Sequence, residues 1–226
     1  KIMLNRYYKS SKLSEAKFRE VLKFFSTDIP SLKTAELTNL NKNTVHTIYN
    51  KLRERLAELS LEENEPFHGE VEVDESYFGA KRIRGKRGRG ARGKIPVVGV
   101  LKRGGKVYTK VVKNCSREQI LPILKGKILE ESTVFTDGWK SYHGLIYQGF
   151  QHYRIYHSKN EFARGKNHIN GIESFWGFTK TRMQKLRGIR KDKFMIHLKE
   201  SEWRWNHRNE NIYKILLKIL AENPLF

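Results

Sequence analysis

Apolar residues in the first part of the chain recur at intervals of three and four, which is the spacing of an amphipathic helix. The pattern predicts helices over residues 13–25, 31–40 and 45–59. Pro30 stands just before the second of these helices, where proline favours a helix start. Residues 1–60 are therefore predicted to form a small all-α domain.

The second and third predicted helices are joined by a short polar turn that begins at Asn41. Two short helices with such a turn are typical of a helix-turn-helix, in which the helix after the turn enters the major groove of DNA. The polar residues that this helix would offer to DNA are Asn43, Thr44, His46, Thr47, Asn50, Lys51 and Arg53. An ordinary helical hairpin, which carries such residues on its solvated face, is the alternative interpretation.

The pattern changes after a short acidic stretch that ends at Pro66, and residues 61–68 are predicted to be a linker. Beyond it, β-branched runs bounded by turn residues alternate with helical spacing. Strands are predicted at residues 69–78, 95–101, 106–112, 133–136 and 151–156, with helices at 116–128 and 167–186 and a helical turn at 139–145. This order predicts an α/β domain over residues 69–226, built as a mixed sheet flanked by helices and followed by C-terminal helices.

The net charge of the chain indicates the class of partner that it binds. The 226 residues include 45 Lys and Arg against 24 Asp and Glu, which gives a formal net charge of +21. Such a positive balance indicates a polyanionic partner, because lysine and arginine release counterions from nucleic acid when they contact its phosphates. Anionic membrane is the competing partner, but the sequence contains no strongly amphipathic basic helix. Nucleic acid is therefore the predicted partner.

Positive charge is most concentrated between the first two predicted strands, in residues 81–94. The eight basic residues of this run are Lys81, Arg82, Arg84, Lys86, Arg87, Arg89, Arg92 and Lys94. The run has four glycines and no acidic residue. Like charges so close together repel one another unless phosphates screen them, so the run predicts contact with DNA phosphates. A solvated loop without a partner is the alternative.

Cysteine content and hydropathy indicate the cellular compartment in which the protein is expected. Cys115 is the only cysteine, which excludes disulfide scaffolds and cysteine-based zinc sites. So little cysteine is typical of a reducing compartment such as the cytoplasm. No run approaches the ~18 apolar residues of a membrane-spanning helix, and no N-terminal stretch is organised as a secretion signal. We expect a soluble cytoplasmic protein that is associated with the nucleoid.

Three acidic residues occupy conspicuous places in this basic chain. Asp74 lies in the first predicted strand, Asp137 follows the fourth, and Glu173 lies on the long helix. Each alone has an ordinary explanation, since an Asp-Gly pair favours a turn and a helical glutamate is usually solvated. Together they suit phosphodiester chemistry served by two divalent cations about 3.5–4 Å apart, which need hard carboxylate ligands. Mg²⁺ is the predicted ion, and Mn²⁺ is a substitute of similar chemistry.

The three acids lie in the segments Val73-Asp-Glu-Ser-Tyr-Phe-Gly79, Thr136-Asp-Gly-Trp139 and His168-Ile-Asn-Gly-Ile-Glu-Ser-Phe-Trp176. Between Asp137 and Glu173 there are 35 residues, and Lys180 follows Glu173 by seven. With these motifs and spacings the chain resembles the DDE transposases of bacterial insertion sequences, in the group often fronted by a zinc ribbon. No cysteine pair occurs upstream, so the ribbon is absent and only the helical DNA-binding part remains.

The resemblance implies an RNase H-like catalytic domain, whose order of strands and helices agrees with the predicted order. It also implies that Asp74, Asp137 and Glu173 hold two Mg²⁺ ions and that Lys180 holds a backbone phosphate. Seven residues fall about 20° short of two helical turns, so Glu173 and Lys180 share one face of the helix.

The implied reaction is metal-dependent cleavage at the ends of an insertion sequence, followed by strand transfer of the freed 3′-OH into target DNA. The implied partners are double-stranded DNA, both terminal inverted repeats and target, and further copies of the chain in a homo-oligomer of at least two. No membrane partner is expected.

Some assignments stay open at the level of sequence. Asn170 lies three residues before Glu173, near the same helix face, and is an alternative third metal ligand. A metal-dependent nuclease that only cuts is the alternative enzyme, and a helix-turn-helix transcription regulator with an inactive catalytic domain is the alternative outside enzymes. The C-terminal residues that fit either a base-stacking platform or a packed helix are Trp203, Arg204, Trp205, His207 and Arg208.

Overall fold

The computed structural model describes residues 5–63, 65–79, 93–137, 149, 151–155, 168–186 and 188–226. The chain divides into two compact units. The first, the helical unit, combines Lys1–Leu61 with Lys185–Phe226, and the second, the sheet unit, is Glu62–Gln184. The helices near the C-terminus therefore belong to the same unit as the N-terminal helices.

Helices come first along the chain, then strands that alternate with helices, and then further helices. In chain order these elements are α1 (Glu15–Ser26), α2 (Ser31–Thr38), α3 (Lys42–Glu62), β1 (Glu70–Phe78), β2 (Ile95–Lys102), β3 (Val107–Val111), α4 (Arg117–Lys127), β4 (Thr133–Asp137), β5 (Gln151–Ile155), α5 (Asn170–Gln184), a short 3-10 turn (Lys191–Lys193), α6 (Phe194–Asn206) and α7 (Ile212–Glu222). The predicted helical turn at 139–145 lies outside the described residues.

Local polar residues set the ends of the first helices. The Ser14 hydroxyl accepts a hydrogen bond from the Lys17 backbone N–H and so caps α1. Asn39 ends α2 with φ 52°, the left-handed conformation that asparagine tolerates better than most residues. Two residues later, the Asn41 side chain accepts a hydrogen bond from the Asn43 backbone N–H, 2.8 Å away. The predicted polar turn between the second and third helices is therefore confirmed.

The helical unit has one hydrophobic core to which both of its chain segments contribute. Buried residues of α1 and α3 pack with others of α6, α7 and the C-terminus; they include Phe18, Phe25, Ile48, Tyr49, Leu52, Trp203, Leu216, Leu220 and Leu225. Trp203 is 3% exposed and Arg204 is 5% exposed. For these two residues the packed-helix interpretation therefore holds, and base stacking does not.

The sheet unit is built on a five-stranded mixed sheet in the order β3-β2-β1-β4-β5. β1 pairs antiparallel with β2, and β2 pairs antiparallel with β3. β4 pairs parallel with β1 on one side and with β5 on the other. This is an RNase H-like arrangement, with α4 and α5 as the flanking helices, and the predicted α/β class is confirmed.

Alternate residues of β1 serve the two faces of this sheet. Val71 and Val73 are fully buried in a cluster that also contains Ile120 and Leu124 of α4. Glu72, which lies between them, faces α5, because its carboxylate accepts a hydrogen bond from the Ile172 backbone N–H. Two faces covered by helices explain why β2 reads as an almost continuous apolar run, whereas β1 carries the acidic side chains Glu72 and Asp74 on the face covered by α5. Within the described residues, no helix combines the length and the apolar character needed to cross a membrane.

Candidate active site

Asp74 and Asp137 lie side by side on neighbouring parallel strands. The register of β1 and β4 pairs Val73 with Thr136, so the next residue on each strand is the aspartate. Paired residues of parallel strands point to the same face, which is here the face covered by α5. Thr136 is fully buried and Asp137 is the last residue of β4, so the two carboxylates lie where the strand ends.

A third carboxylate joins this pair. The oxygens of Asp74, Glu75 and Asp137 lie within 4.8 Å of one another, and the three residues form the acidic cluster. Sequence reasoning missed Glu75, because alternation along a strand sends it to the face opposite Asp74. Its charge also acts on the buried thiol of Cys115, whose pKa is raised, first by burial. The signal that could have found Glu75 is its place directly after Asp74.

The charge of Glu173 reaches this cluster from α5. The pKa of Asp74 is raised to about 6, first by burial and then by the charges of Asp137 and Glu173, while the Glu75 backbone N–H lowers it. Glu173 itself lies in the first turn of α5 and is exposed. The fold therefore brings three of the sequence-predicted residues into one electrostatic neighbourhood.

Trp176 packs against the cluster from the same helix. Its ring lies against Gly99 of β2, where a Cβ would come within 2.5 Å of the indole, and Gly99 is the cross-strand partner of Asp74. The indole also lowers the pKa of Asp74. The cause is the indole N–H, a hydrogen-bond donor beside the carboxylate that favours its ionised form. A glycine on β2 thus lets α5 approach the site closely.

Lys180 lies two turns after Glu173, as predicted, and also faces the cluster. Its Nζ is 5.9 Å from the centre of the Phe78 ring on β1. Partial burial lowers the pKa of Lys180, the charge of Asp74 raises it, and Lys94 lowers it again. Lys94, the last residue of the basic run, therefore lies near Lys180, so two cations accompany the acidic cluster.

Comparison with known proteins identifies the family to which this arrangement belongs. The model of the ISXO2-like transposase domain, a DDE transposase family, matches residues 66–206, which is more than half of the chain. The chain belongs to this family. The match covers all of the acidic cluster together with Glu173 and Lys180.

Two relatives agree with this assignment. The chain is 42% identical over 120 residues to an "Uncharacterized transposase-like protein" of Haemophilus influenzae, which covers 53% of the chain and 97% of that protein. It is 29% identical over 174 residues to an "Uncharacterized protein in transposable element ISH50" of Halobacterium salinarum, covering 70% of the chain and 59% of that protein.

A DDE transposase domain implies a divalent metal, and the residues present fit one. All three members of the acidic cluster offer carboxylate oxygens, the hard ligands that Mg²⁺ and Mn²⁺ prefer. The pKa of Asp74 is raised first by burial and then by the charges of Asp137 and Glu173, and a divalent cation would neutralise those charges. In the described part of the chain this is the one group of His, Cys, Asp or Glu found close enough together to hold a metal ion.

The other predicted site residues are distributed over α5, α3 and the basic run. Asn170 is exposed and begins α5, three residues before Glu173. In the helical unit, the predicted DNA-reading residues Asn43, Thr44 and His46 are exposed on the first turns of α3, while Asn50 is half-buried. Of the basic run, Lys94 is described and half-buried. The rest of the run, Lys81, Arg82, Arg84, Lys86, Arg87, Arg89 and Arg92, lies outside the described residues.

Proposed function

We propose that this protein is a DNA transposase that cleaves at the ends of an insertion sequence and joins the freed 3′-OH to target DNA. The observation that carries the proposal is the pairing of Asp74 with Asp137 at the end of β4, beneath a helix that carries Glu173 and Lys180. Carboxylates from separate elements converge there with a lysine beside them, as phosphoryl transfer on a polyanion requires.

In this proposal Asp74, Asp137 and Glu173 would hold two Mg²⁺ or Mn²⁺ ions. Bound ions would supply Lewis-acid chemistry, through polarisation of the scissile phosphate and activation of a water. Lys180 binds a backbone phosphate next to the scissile one, because its ammonium group lies near the Asp74 charge. In cleavage, the water oxygen bonds to phosphorus and the 3′-oxygen leaves. In strand transfer, the freed 3′-OH attacks a target phosphate and the 3′-oxygen of the target strand leaves, so one phosphodiester bond forms as another breaks.

DNA is held in this proposal by groups from both units. The basic run, residues 81–94, contacts phosphates without regard to sequence, and the exposed residues at the start of α3 read bases in the major groove. The substrates are the terminal inverted repeats of an element and its target DNA. Pairing two element ends requires a homo-oligomer of at least two copies.

Two assays test the proposal. Plasmid nicking with and without Mg²⁺, on DNA bearing the element's own ends, tests cleavage, and joining of a pre-cut end tests strand transfer. Asp137→Asn should abolish both reactions, because it removes a ligand charge without changing shape. Asp192→Asn, at a 54% exposed carboxylate, should leave both unchanged.

Each contrary result identifies another function. Nicking without joining would favour a nuclease, and DNA binding without metal-dependent nicking would favour a transcription regulator with an inactive catalytic domain.

A further inference from the structure

Glu72 is a buried carboxylate of β1 that the proposed chemistry does not use. It is 1% exposed and lies two residues before Asp74, on the sheet face covered by α5. One carboxylate oxygen accepts a hydrogen bond from the Ile172 backbone N–H over 2.8 Å. The other accepts one from Arg103 Nε over 2.9 Å. Burying a charge costs several kcal/mol, so these partners are needed to keep Glu72 in place.

Arg103 extends this contact to the segment that leads into α5. One of its guanidinium nitrogens, Nη2, donates a hydrogen bond to the His168 carbonyl oxygen. The guanidinium group lies 3.7 Å from the centre of the Phe135 ring, which fixes its plane. Glu72 and Arg103 thus bind a backbone N–H and a backbone carbonyl on either side of the helix start. This pair, with its two backbone contacts, is the α5 anchor.

Gly171 allows the α5 anchor to form. A Cβ at this position would lie 2.8 Å from the Glu72 carboxylate and 3.1 Å from the Leu101 side chain. A side chain at position 171 would therefore displace the Glu72 carboxylate from its contact with the helix backbone. The anchored N–H belongs to Ile172, and the next residue along the chain is Glu173. A carboxylate at a helix N-terminus is also favoured by the helix dipole.

We propose that Glu72 is a positioning residue that fixes Glu173 relative to Asp74. It sets the depth and rotation of the first turn of α5, from which Glu173 reaches towards the acidic cluster. This inference rests on the proposed role of Glu173 as a metal ligand. Residues that orient a ligand in this way commonly contribute 10- to 100-fold to metal affinity, on the order of the effect expected for Glu72.

The test is a double-mutant cycle on Mn²⁺ binding by the full chain, measured by titration calorimetry without DNA. Glu72→Gln keeps the shape of the side chain but turns an amide towards Arg103, and should weaken Mn²⁺ binding by roughly 10-fold or more. Glu173→Gln should weaken it comparably. The double variant should bind no more weakly than Glu173→Gln alone, because Glu72 acts only through that ligand.

Glu70→Gln is the matched control. Glu70 lies on the same strand and also pairs with Arg103, at 3.3 Å, but its side chain is 47% exposed. Removing its charge should leave Mn²⁺ affinity within about twofold, since an exposed pair contributes little. If Glu72→Gln does not fold, Gly171→Ala displaces the same carboxylate with a small side chain and should show the same non-additivity with Glu173→Gln.

The possible results separate this inference from the function on which it rests. Additive losses, or full affinity in a folded Glu72→Gln protein whose Glu173→Gln counterpart binds weakly, would overturn the positioning role alone. Unchanged Mn²⁺ affinity in both Glu173→Gln and Asp137→Asn would overturn the proposed metal site, and the positioning role with it.

Discussion

Asp74 has a carboxyl group that the fold makes harder to ionise. Its pKa is raised to about 6, first by burial and then by the charges of Asp137 and Glu173. At pH 8 the Asp74 carboxyl is ionised in both the folded and the unfolded chain. Ionisation costs free energy only in the folded chain, where the group is buried beside other negative charges. As the pH falls through about 6, the folded protein takes up a proton that the unfolded chain does not yet bind. The metal-free fold therefore gains stability in this range.

This direction of the pH dependence leads to a prediction for the melting temperature of the metal-free protein. Asp74→Asn removes the penalty, so it should raise the melting temperature at pH 8 by on the order of a few degrees and by roughly half as much at pH 5, where the unfolded carboxyl is still largely ionised. Thermal unfolding in the presence of a chelator at both pH values measures the difference. Asp192→Asn, at an exposed carboxylate, should show no such pH dependence. An Asp74→Asn protein that melts lower at pH 8 would contradict the prediction.

The choice between Glu173 and Asn170 as the third metal ligand is also a prediction at the residue scale. An ionised carboxylate neutralises a divalent cation better than an amide does, and the charge of Glu173 reaches Asp74. We predict that Glu173→Gln abolishes Mg²⁺-dependent nicking while DNA binding stays intact, and that Asn170→Ala has a milder effect. Glu118→Gln, an exposed glutamate of α4, is the control. A Glu173→Gln protein that still cuts, beside an inactive Asn170→Ala protein, would make Asn170 the ligand.

At the scale of elements, α3 presents a polar N-terminal face while its other side is buried. Val45, Ile48 and Tyr49 are at most 1% exposed, and the polar residues around them are free to meet DNA without disturbing the core. We predict that changing Asn43, Thr44, His46 and Asn50 to alanine removes the preference for element ends but keeps nonspecific affinity and nicking. Competition binding between end DNA and random DNA measures this. Retained preference would locate base reading elsewhere.

The basic run between β1 and β2 should act through charge alone. Neutralising its eight basic residues should weaken binding to all DNA sequences equally. Each lost phosphate contact should reduce the slope of log affinity against log salt by about 0.9. Binding isotherms at several salt concentrations test this, and the α3 variant, whose changes concern base contacts, should keep the original slope. A slope that does not change on neutralisation would exclude phosphate contact by the run.

At the scale of the whole molecule, the helical unit depends on residues from both ends of the chain. Leu220 of α7 is fully buried in the core that also holds Phe18 and Leu52. We predict that Leu220→Ala lowers the free energy of unfolding of this unit by about 2–5 kcal/mol, as large-to-small changes in packed cores do. Urea unfolding, monitored by the spectroscopic signal of helices, measures this change in the free energy of unfolding. Leu37→Ala, at a 50% exposed leucine, should cost far less, and equal effects would contradict the shared core.

Local pattern was enough for most elements of this protein. Helical spacing from Val45 onward, the alternation of β1 and the β-branched runs of β2 to β4 are carried by neighbouring residues, so these elements could be predicted from the sequence. The family motifs around Asp74, Asp137 and Glu173 likewise depend on sequence order. The prediction of Mg²⁺ ligands followed from residue chemistry and that resemblance, and their roles stay predictions.

What the sequence could not decide involves contacts between residues far apart in the chain. Strand register brings Asp74 beside Asp137, and Glu75 lies with them despite the alternation of side chains along β1. The α5 anchor joins Glu72 to Ile172 across 100 residues. The packing of α6 and α7 with the first helices likewise depends on matching apolar faces. A hydrophobic pattern predicts that a helix face is buried, but it does not predict which other helix covers that face. Sequence determined the elements and their chemistry, and tertiary packing decided which of them meet.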